Sequence, residues 1–502
     1  IISAEAFTSG GPHWTMDPWH QKRRGDWACT EGINHFVLHL YIHQPFEDRI
    51  PGINAPFGTE FNRHNTWFPH AKPWIEYLQR THFLLQQGKY VADVAYFIGE
   101  DTPKMTGTRR PELPEGYSFD YINAEAIEQR MQVRDGRFVL PDGMSYRLLV
   151  LPELTTMRPG VLRKLSELVK DGGAVLGEPP TRSPSLQDYP ACDRQVRELA
   201  AAMWAGCDGQ SVKSTQFGKG RVFRGMGLKA VLDELGVPPD IEGVTLKQFP
   251  WIHRAGPDAD IYFLACQEDA VTRISPSFRV TGRQPELWDA VTGQMRDLPE
   301  FREENGRTVV PLEFAPRQSL FVVFRKPAGS PDRNAKNFPG LVAVDELTGE
   351  WEVSFDPRWG GPASTVFEKL VDWTTRSEDG IKYYSGLATY RKTFNLADAI
   401  SSRPLYLDLG VVKNIARVRL NGKDLGLVWT APWRVDIAQA VKPKGNVLEI
   451  DVINVWANRI IGDSKLPPDQ RLTWTVHPHL GPKSPLLPAG LLGPVTLQTV
   501  RP

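Results

Sequence analysis

Between residues 35 and 45 the chain reads HFVLHLYIHQP, and its polar and apolar positions alternate. His35, Val37, His39, Tyr41 and His43 fall on one side, Phe36, Leu38, Leu40 and Ile42 on the other. A period of two is the pattern of a strand with one buried face. Upstream, IISAEAFTSGGPHWT holds a short apolar run with a single carboxylate, Glu5, broken by Ser9-Gly10-Gly11-Pro12. This predicts an earlier strand, with a helix around Asp26 to Gly32 between the two. Strand, helix, strand is a βα repeat, which builds parallel sheets covered by helices. WIEYLQRTHFLLQQG then predicts an amphipathic helix closed by Gly88. In a (β/α)8 barrel the apolar strand face meets the helices and the His/Tyr face points inward. The C-terminal strand ends then carry the active site. Two strands cannot close a barrel, so residues 1–88 are read as the C-terminal part of one, with the earlier repeats upstream.

Residues 89–240 change period. VADVAYFIG, YRLLVLPE and AVLGEPP are strands, RDGRFVLPDG is a hairpin turning at Asp135-Gly136, and RPGVLRKLSELVKDGG is a helix opened by Pro159 and ended by Gly172. These predict a doubly wound, flavodoxin- or amidotransferase-like α/β domain. Amidotransferase chemistry needs a Cys after LLVLP, where Glu153 and Leu154 stand, so the domain is read as structural. Residues 241–328 (DADIYFLAC, SFRVTG, ELWDAVTG, RTVVPLEF, QSLFVVFR) predict a β-sandwich. KPAGSPDRNAKNFPG, 326–340, reads as a polar linker. Residues 341–502 predict a jelly-roll sandwich of the galactose-binding-like type, with a hairpin at Asn421-Gly422. There LNGKDLG and NVWANRIIGD are read as turns that bind a terminal sugar or pack against the first unit.

Composition narrows the classes. The 502 residues carry 59 Lys plus Arg and 59 Asp plus Glu, so no net field draws in nucleic acid or an anionic membrane. Cys29, Cys192, Cys207 and Cys266 have no CxxC spacing that would suggest zinc or a disulfide framework. No apolar run reaches the ~18 residues of a membrane span. Fifteen Trp, several beside Gly, Pro or His, suit stacking on sugar faces or core packing.

Glu5 is the first candidate for chemistry, because a carboxylate at the end of a barrel strand sits where such folds place catalytic groups. A structural or metal-binding role is the alternative. His39 and His43 could bind metal, transfer protons, hydrogen-bond sugar hydroxyls or simply line a polar interior; sugar hydrogen bonding is preferred for His43. Two loops on the presumed rim carry His13, Trp14, Asp17 and Trp19, and Asn62, Arg63, His64 and Trp67. Polar groups and indoles together suggest a monosaccharide subsite. Glu31, expected to end the first helix, is the second-choice carboxylate.

AEAFTS, EGINHFVLHLYIHQP, FNRHNTWF, GRQPELWDAVTG, LDLGVVKNIARVRLNGKDLGLVWTAPWRVDI and NVWANRIIGD together resemble glycoside hydrolase family 106, the α-L-rhamnosidases. The resemblance runs in order over nearly the whole chain. The last domain is also similar to the sugar-binding jelly roll of family 2 glycosidases. Family 106 implies inverting hydrolysis of a terminal α-L-rhamnosyl linkage by two Glu carboxyls, with a calcium ion near the sugar. Glu5 is the candidate base, its partner lies upstream, and no calcium ligands are assigned. A rhamnose-containing glycan or glycoside is then the substrate, and the periplasm or cell exterior the location. The competing readings are a β-galactosidase-like exo-glycosidase and a non-catalytic carbohydrate-binding protein. A retaining enzyme of the first kind needs its carboxylates ~5–5.5 Å apart.

Overall fold

The computed structural model describes residues 1–101, 109–329, 335–396 and 404–501. Strand β1 (Ser3–Ala6) pairs in parallel with β2 (His35–Leu38), Ser3 opposite His35 and Glu5 opposite Val37. Helix α1 (Pro18–Thr30) makes the crossover and starts well before the expected Asp26. Asp17 caps it by accepting the His20 N–H at 3.1 Å, and Pro18 occupies the first turn, where its missing N–H costs nothing. The apolar pattern hid this start because Lys22 and Asp26 are buried as an ion pair, 2.5 Å apart, rather than as hydrophobic residues. Lys22 also donates to Ser319 Oγ (2.8 Å), fastening α1 to the sandwich.

The strand ends at Leu38, not His43. Residues 39 and 40 instead bond to Thr59, Leu40 N–H to its carbonyl at 2.8 Å and its N–H to His39 O at 3.1 Å. Over 35–38 the alternation is as expected. Phe36 packs between helices, 5.3 Å from the Phe7 ring and 4.8 Å from His82, while Val37 is 54% exposed. Helix α2 (Lys72–Leu85) buries Trp74, Tyr77, Leu78, Leu84 and Leu85. Phe61 stacks on Trp74 at 5.8 Å, and Trp67 meets both edge-on at 5.9 Å. This cluster continues into Phe263 and Phe321 of the sandwich and Trp429 and Trp456 of the last domain, so the first unit shares its core with two others.

Five parallel strands follow in the spatial order Phe119–Ile122, Val94–Phe97, Leu148–Val150, Ala174–Leu176, Gly220–Phe223, with Ser214–Phe217 antiparallel at the edge. Val94 and Tyr96 face one apolar cluster, Ala95 and Phe97 the other, so helices close both sides of the sheet. Asp135 (φ 50°) and Gly136 (φ 70°) make the left-handed pair that a two-residue hairpin requires.

Residues 89 and 90 lie outside this layer. They pair with Ala255 and Arg254 at the edge of a six-stranded sheet that packs on a four-stranded one as the sandwich. RTVVPLEF splits into Arg307–Val309 and Leu312–Phe314, because Pro311 has no N–H for a continuous ladder. Of the expected linker, residues 330–334 lie outside the described ones, and Asn337 is buried, donating to the Glu300 and Pro311 carbonyls at 2.7 and 3.0 Å. That end belongs to the sandwich. The last domain packs a four-stranded on a six-stranded sheet. Residues 457–463, read as a turn, are instead a helix buried along its whole length, with Arg459 and Asp463 paired at 3.0 Å.

Candidate functional site

Glu5 stands near the end of β1 on its open face, not in a buried strand, and its Oε1 accepts from Thr8 Oγ1 at 2.7 Å. The loop around residue 58 lies against this end: Gly58 N–H bonds Ser9 O and Thr59 Oγ1 bonds Phe7 O, each at 2.7 Å. Gly58 has φ +104°, and a Cβ there would fall 2.3 Å from Leu40 Cδ2, so only glycine allows the close approach. Beside it the His39 ring stacks on Phe57, 5.5 Å apart and 13° from parallel. His43 and Tyr41 are exposed on the same loop. The rim therefore presents an anchored carboxylate, imidazoles and an exposed aromatic.

Beside it lies a group of which the sequence points only to His13. Glu60, 5% exposed, bonds His13 Nδ1 through one oxygen and accepts the Trp14 N–H through the other at 3.1 Å. Burial pushes His13 toward neutrality, but the hydrogen bond and charge of Glu60 outweigh it and raise its pKa above the ordinary value. The His13 ring centre is 4.5 Å from that of His479. His479 itself is held below the ordinary imidazole range by burial and by the His13 and His477 charges. Strand β3 (Pro51–Gly52) runs parallel to Trp474–Thr475, and Asn54 Oδ1 accepts from Thr475 Oγ1 (2.8 Å) and His477 N–H (3.0 Å). Only folding brings residues 13, 60 and 479 together. The one local hint was a lone carboxylate between two aromatic residues, Phe57 and Phe61.

Other expected subsite residues have structural work. Trp14 and Trp67 are each 1% exposed and donate to Thr475 Oγ1 (3.2 Å) and Met16 O (2.9 Å); they are core indoles, not sugar platforms. Asp17 is fully buried as the α1 cap, and Asn62 accepts the His64 N–H at 2.9 Å to shape its turn. Trp19 lies on α1, not in a loop, and meets Trp433 at 5.8 Å. Arg63 bonds Gln44 O (2.8 Å) and Glu47 (2.5 Å), facing the last domain. Glu31 is the exposed C-cap of α1, so one helix length, about 20 Å, separates it from the Asp17 end. Among the described residues no three His, Cys, Asp or Glu side chains gather as a metal-ligating group.

Residues 1–303 match the model of a glycoside hydrolase family, number 106, described as alpha-L-rhamnosidase. Residues 374–479 match a glycosyl hydrolase 2 galactose-binding domain-like model. A solved rhamnosidase from Novosphingobium sp. PP1Y is similar over 99% of this chain and 47% of its own, with TM-score 0.90 and 37% identity. A Formosa agariphila protein named "Putative beta-glucuronidase" is 26% identical over 100% of this chain and 63% of its own length. The chain thus spans about half of the solved relative and less than two thirds of the curated one.

Proposed function

We propose, from the premise that this chain belongs to glycoside hydrolase family 106, that it forms part of an enzyme releasing terminal α-L-rhamnose from glycans or glycosides. The observation that carries the proposal is Glu5, an exposed carboxylate held by Thr8 at the end of a parallel strand. In this reading the β1–β2 pair is the closing part of a (β/α)8 barrel whose other strands lie upstream, and its open face is the barrel interior.

The reaction is an inverting displacement. Glu5 takes a proton from water as that oxygen bonds to the anomeric carbon. The glycosidic C–O bond breaks, and a carboxylic acid from the upstream part gives its proton to the leaving oxygen. The two carboxyls stand ~6.5–9.5 Å apart with the water between one of them and the sugar. Thr8 orients the base, and His39 and His43 offer hydrogen bonds to sugar hydroxyls. No calcium ligands are assigned among these residues, and no step is routed through calcium. The periplasm or cell exterior, where glycans are met, is the proposed location; no described helix is long and apolar enough to cross a membrane.

Proton NMR of the complete polypeptide acting on an aryl α-L-rhamnoside tests this. β-L-rhamnose should form first. Release of the α anomer first would exclude inversion, and no hydrolysis would remove the rhamnosidase reading.

A further inference from the structure

The first unit and the last domain enclose a second cleft of about 590 Å3, within the size range of small-molecule sites. Glu5, His13, His39 and His43 are not part of its lining. One wall comes from residues 63–69, the other from residues 354–359, 386–389 and Trp456.

Two polar side chains in the first wall lack partners. His64, its side chain 6% exposed, has neither ring nitrogen hydrogen-bonded; the Glu47 carboxylate lies 3.7 Å from its Nε2. Thr66 Oγ1 is buried and unpaired as well. A buried polar atom without a partner is destabilising unless something supplies one, and two in one cleft wall call for an occupant rich in hydroxyls. Burial and the Arg63 charge lower the His64 pKa, so the ring is neutral and offers one donor and one acceptor, as a sugar hydroxyl requires. Across the cleft stands Trp359, half-buried, with its ring 4.7 Å from that of Trp456 at 76°. Trp456 Nε1 donates to His64 O at 2.8 Å, so the indole pair and the imidazole are held in one frame.

Charge selects the kind of sugar. Both guanidiniums of the lining are already matched, Arg63 by Glu47 at 2.5 Å and Arg358 by Asp356 at 2.6 Å. Among the described lining residues no unpaired cation remains for a carboxylated or sulfated sugar.

We propose that this cleft is a binding site for a neutral glycosyl residue, distinct from the rim that holds Glu5, with Trp359 as its aromatic wall and His64, Thr66 and Asp356 as its hydroxyl partners. It extends the function proposed above to a second contact with the glycan, but stands on its own geometry.

The test titrates the full chain, labelled with 15N-tryptophan, with L-rhamnose, D-galactose, D-glucose and D-glucuronate. The Trp359 indole signal is assigned by its loss in Trp359→Phe. At least one neutral sugar should shift that signal saturably at millimolar concentration. His64→Ala should weaken the binding about tenfold or more, the value of one lost hydrogen bond with its cavity; Thr66→Val should weaken it in the same direction. Unchanged signals from the indoles outside the cleft certify the fold of each variant. No response at Trp359 to any neutral sugar, a stronger response to D-glucuronate, or full binding by both variants would overturn the proposal. Aryl rhamnoside turnover by the complete polypeptide is read separately. Loss of turnover with Trp359 binding intact would fault the catalytic reading alone.

Discussion

The first unit and the α/β layer begin from the same device, parallel strands joined by a helix, and differ in what covers the sheet. In the layer, residues 94–97 and 148–150 send alternate side chains into two apolar clusters and are at most 5% exposed. In the first unit one face of β1–β2 is closed by Phe7, Phe36 and the helices, while on the other Val37 stands 54% exposed, with Tyr41 and Phe57 of the adjoining loops 65% and 50% exposed. In the layer Glu153, the residue after the strand Leu148–Val150 and its Leu-Pro, is exposed and lies 3.7 Å from Arg110, while Asp93 is buried and paired with Arg279 at 3.0 Å. An open face lets a carboxylate such as Glu5 meet a substrate. Identical local patterns thus lead to a structural layer or to a rim of reactive groups, according to what lies over the sheet.

The sharpest test of that contrast pairs two carboxylates. In the complete polypeptide Glu5→Gln should lower kcat on an aryl rhamnoside by ~10²–10⁴-fold with the melting temperature unchanged, because the side chain is exposed. Glu153→Gln should leave kcat within a few-fold. Similar losses in both variants would erase the distinction between the regions.

The next largest effect concerns attachment. Lys22→Met leaves Asp26 buried without its cation and should cost about 3–5 kcal/mol in denaturant unfolding, since the pair also joins α1 to Ser319. A change near zero would mean that the first unit does not depend on its neighbour. By contrast, Leu165→Ala, at a fully buried position of the Pro159–Lys170 helix, should cost ~2–5 kcal/mol inside the layer alone. Hydrogen exchange should then rise in the layer's strands and stay unaltered in β1 and β2; acceleration in both would show one cooperative body.

Within the sandwich, His253 lies 2.8 Å from Asp240 and 3.1 Å from Asp260. Burial alone would lower its pKa, yet the two carboxylates raise it to about 9. A raised folded-state value means that the stabilisation is complete below about pH 6.5 and is lost as pH rises through about 9. Thermal stability should fall across that window, and His253→Gln should flatten the slope; an equal slope in the variant would assign the loss to other groups. The smallest effect is local. Gly422→Ala meets no atom within 4 Å but forces alanine to φ +80°, and should cost about 1 kcal/mol while changing neither unit.

Elements with strong local signals were legible before any coordinates: the Asp135-Gly136 and Asn421-Gly422 hairpins, the Pro159 helix, the facing of Phe36 and the order of α/β and β segments. Each rests on interactions within a few residues, such as left-handed turn conformations, helix caps and a two-residue period. The family, too, was recognisable from ordered short stretches. The early start of α1, the buried helix 457–463, the end of β2 at Leu38 and the core burial of Trp14 and Trp67 were not legible, because burial by ion pairing or by a distant domain leaves no periodic trace. The same holds for the candidate site. Sequence alone singled out Glu5, but the meeting of His13 with Glu60 and His479, and of His64 with Trp456 and Trp359, depends on contacts across hundreds of residues. Local chemistry decides which segments become strands, helices and turns; only the closing of one unit upon another decides which polar side chains are buried, paired or left open to a ligand.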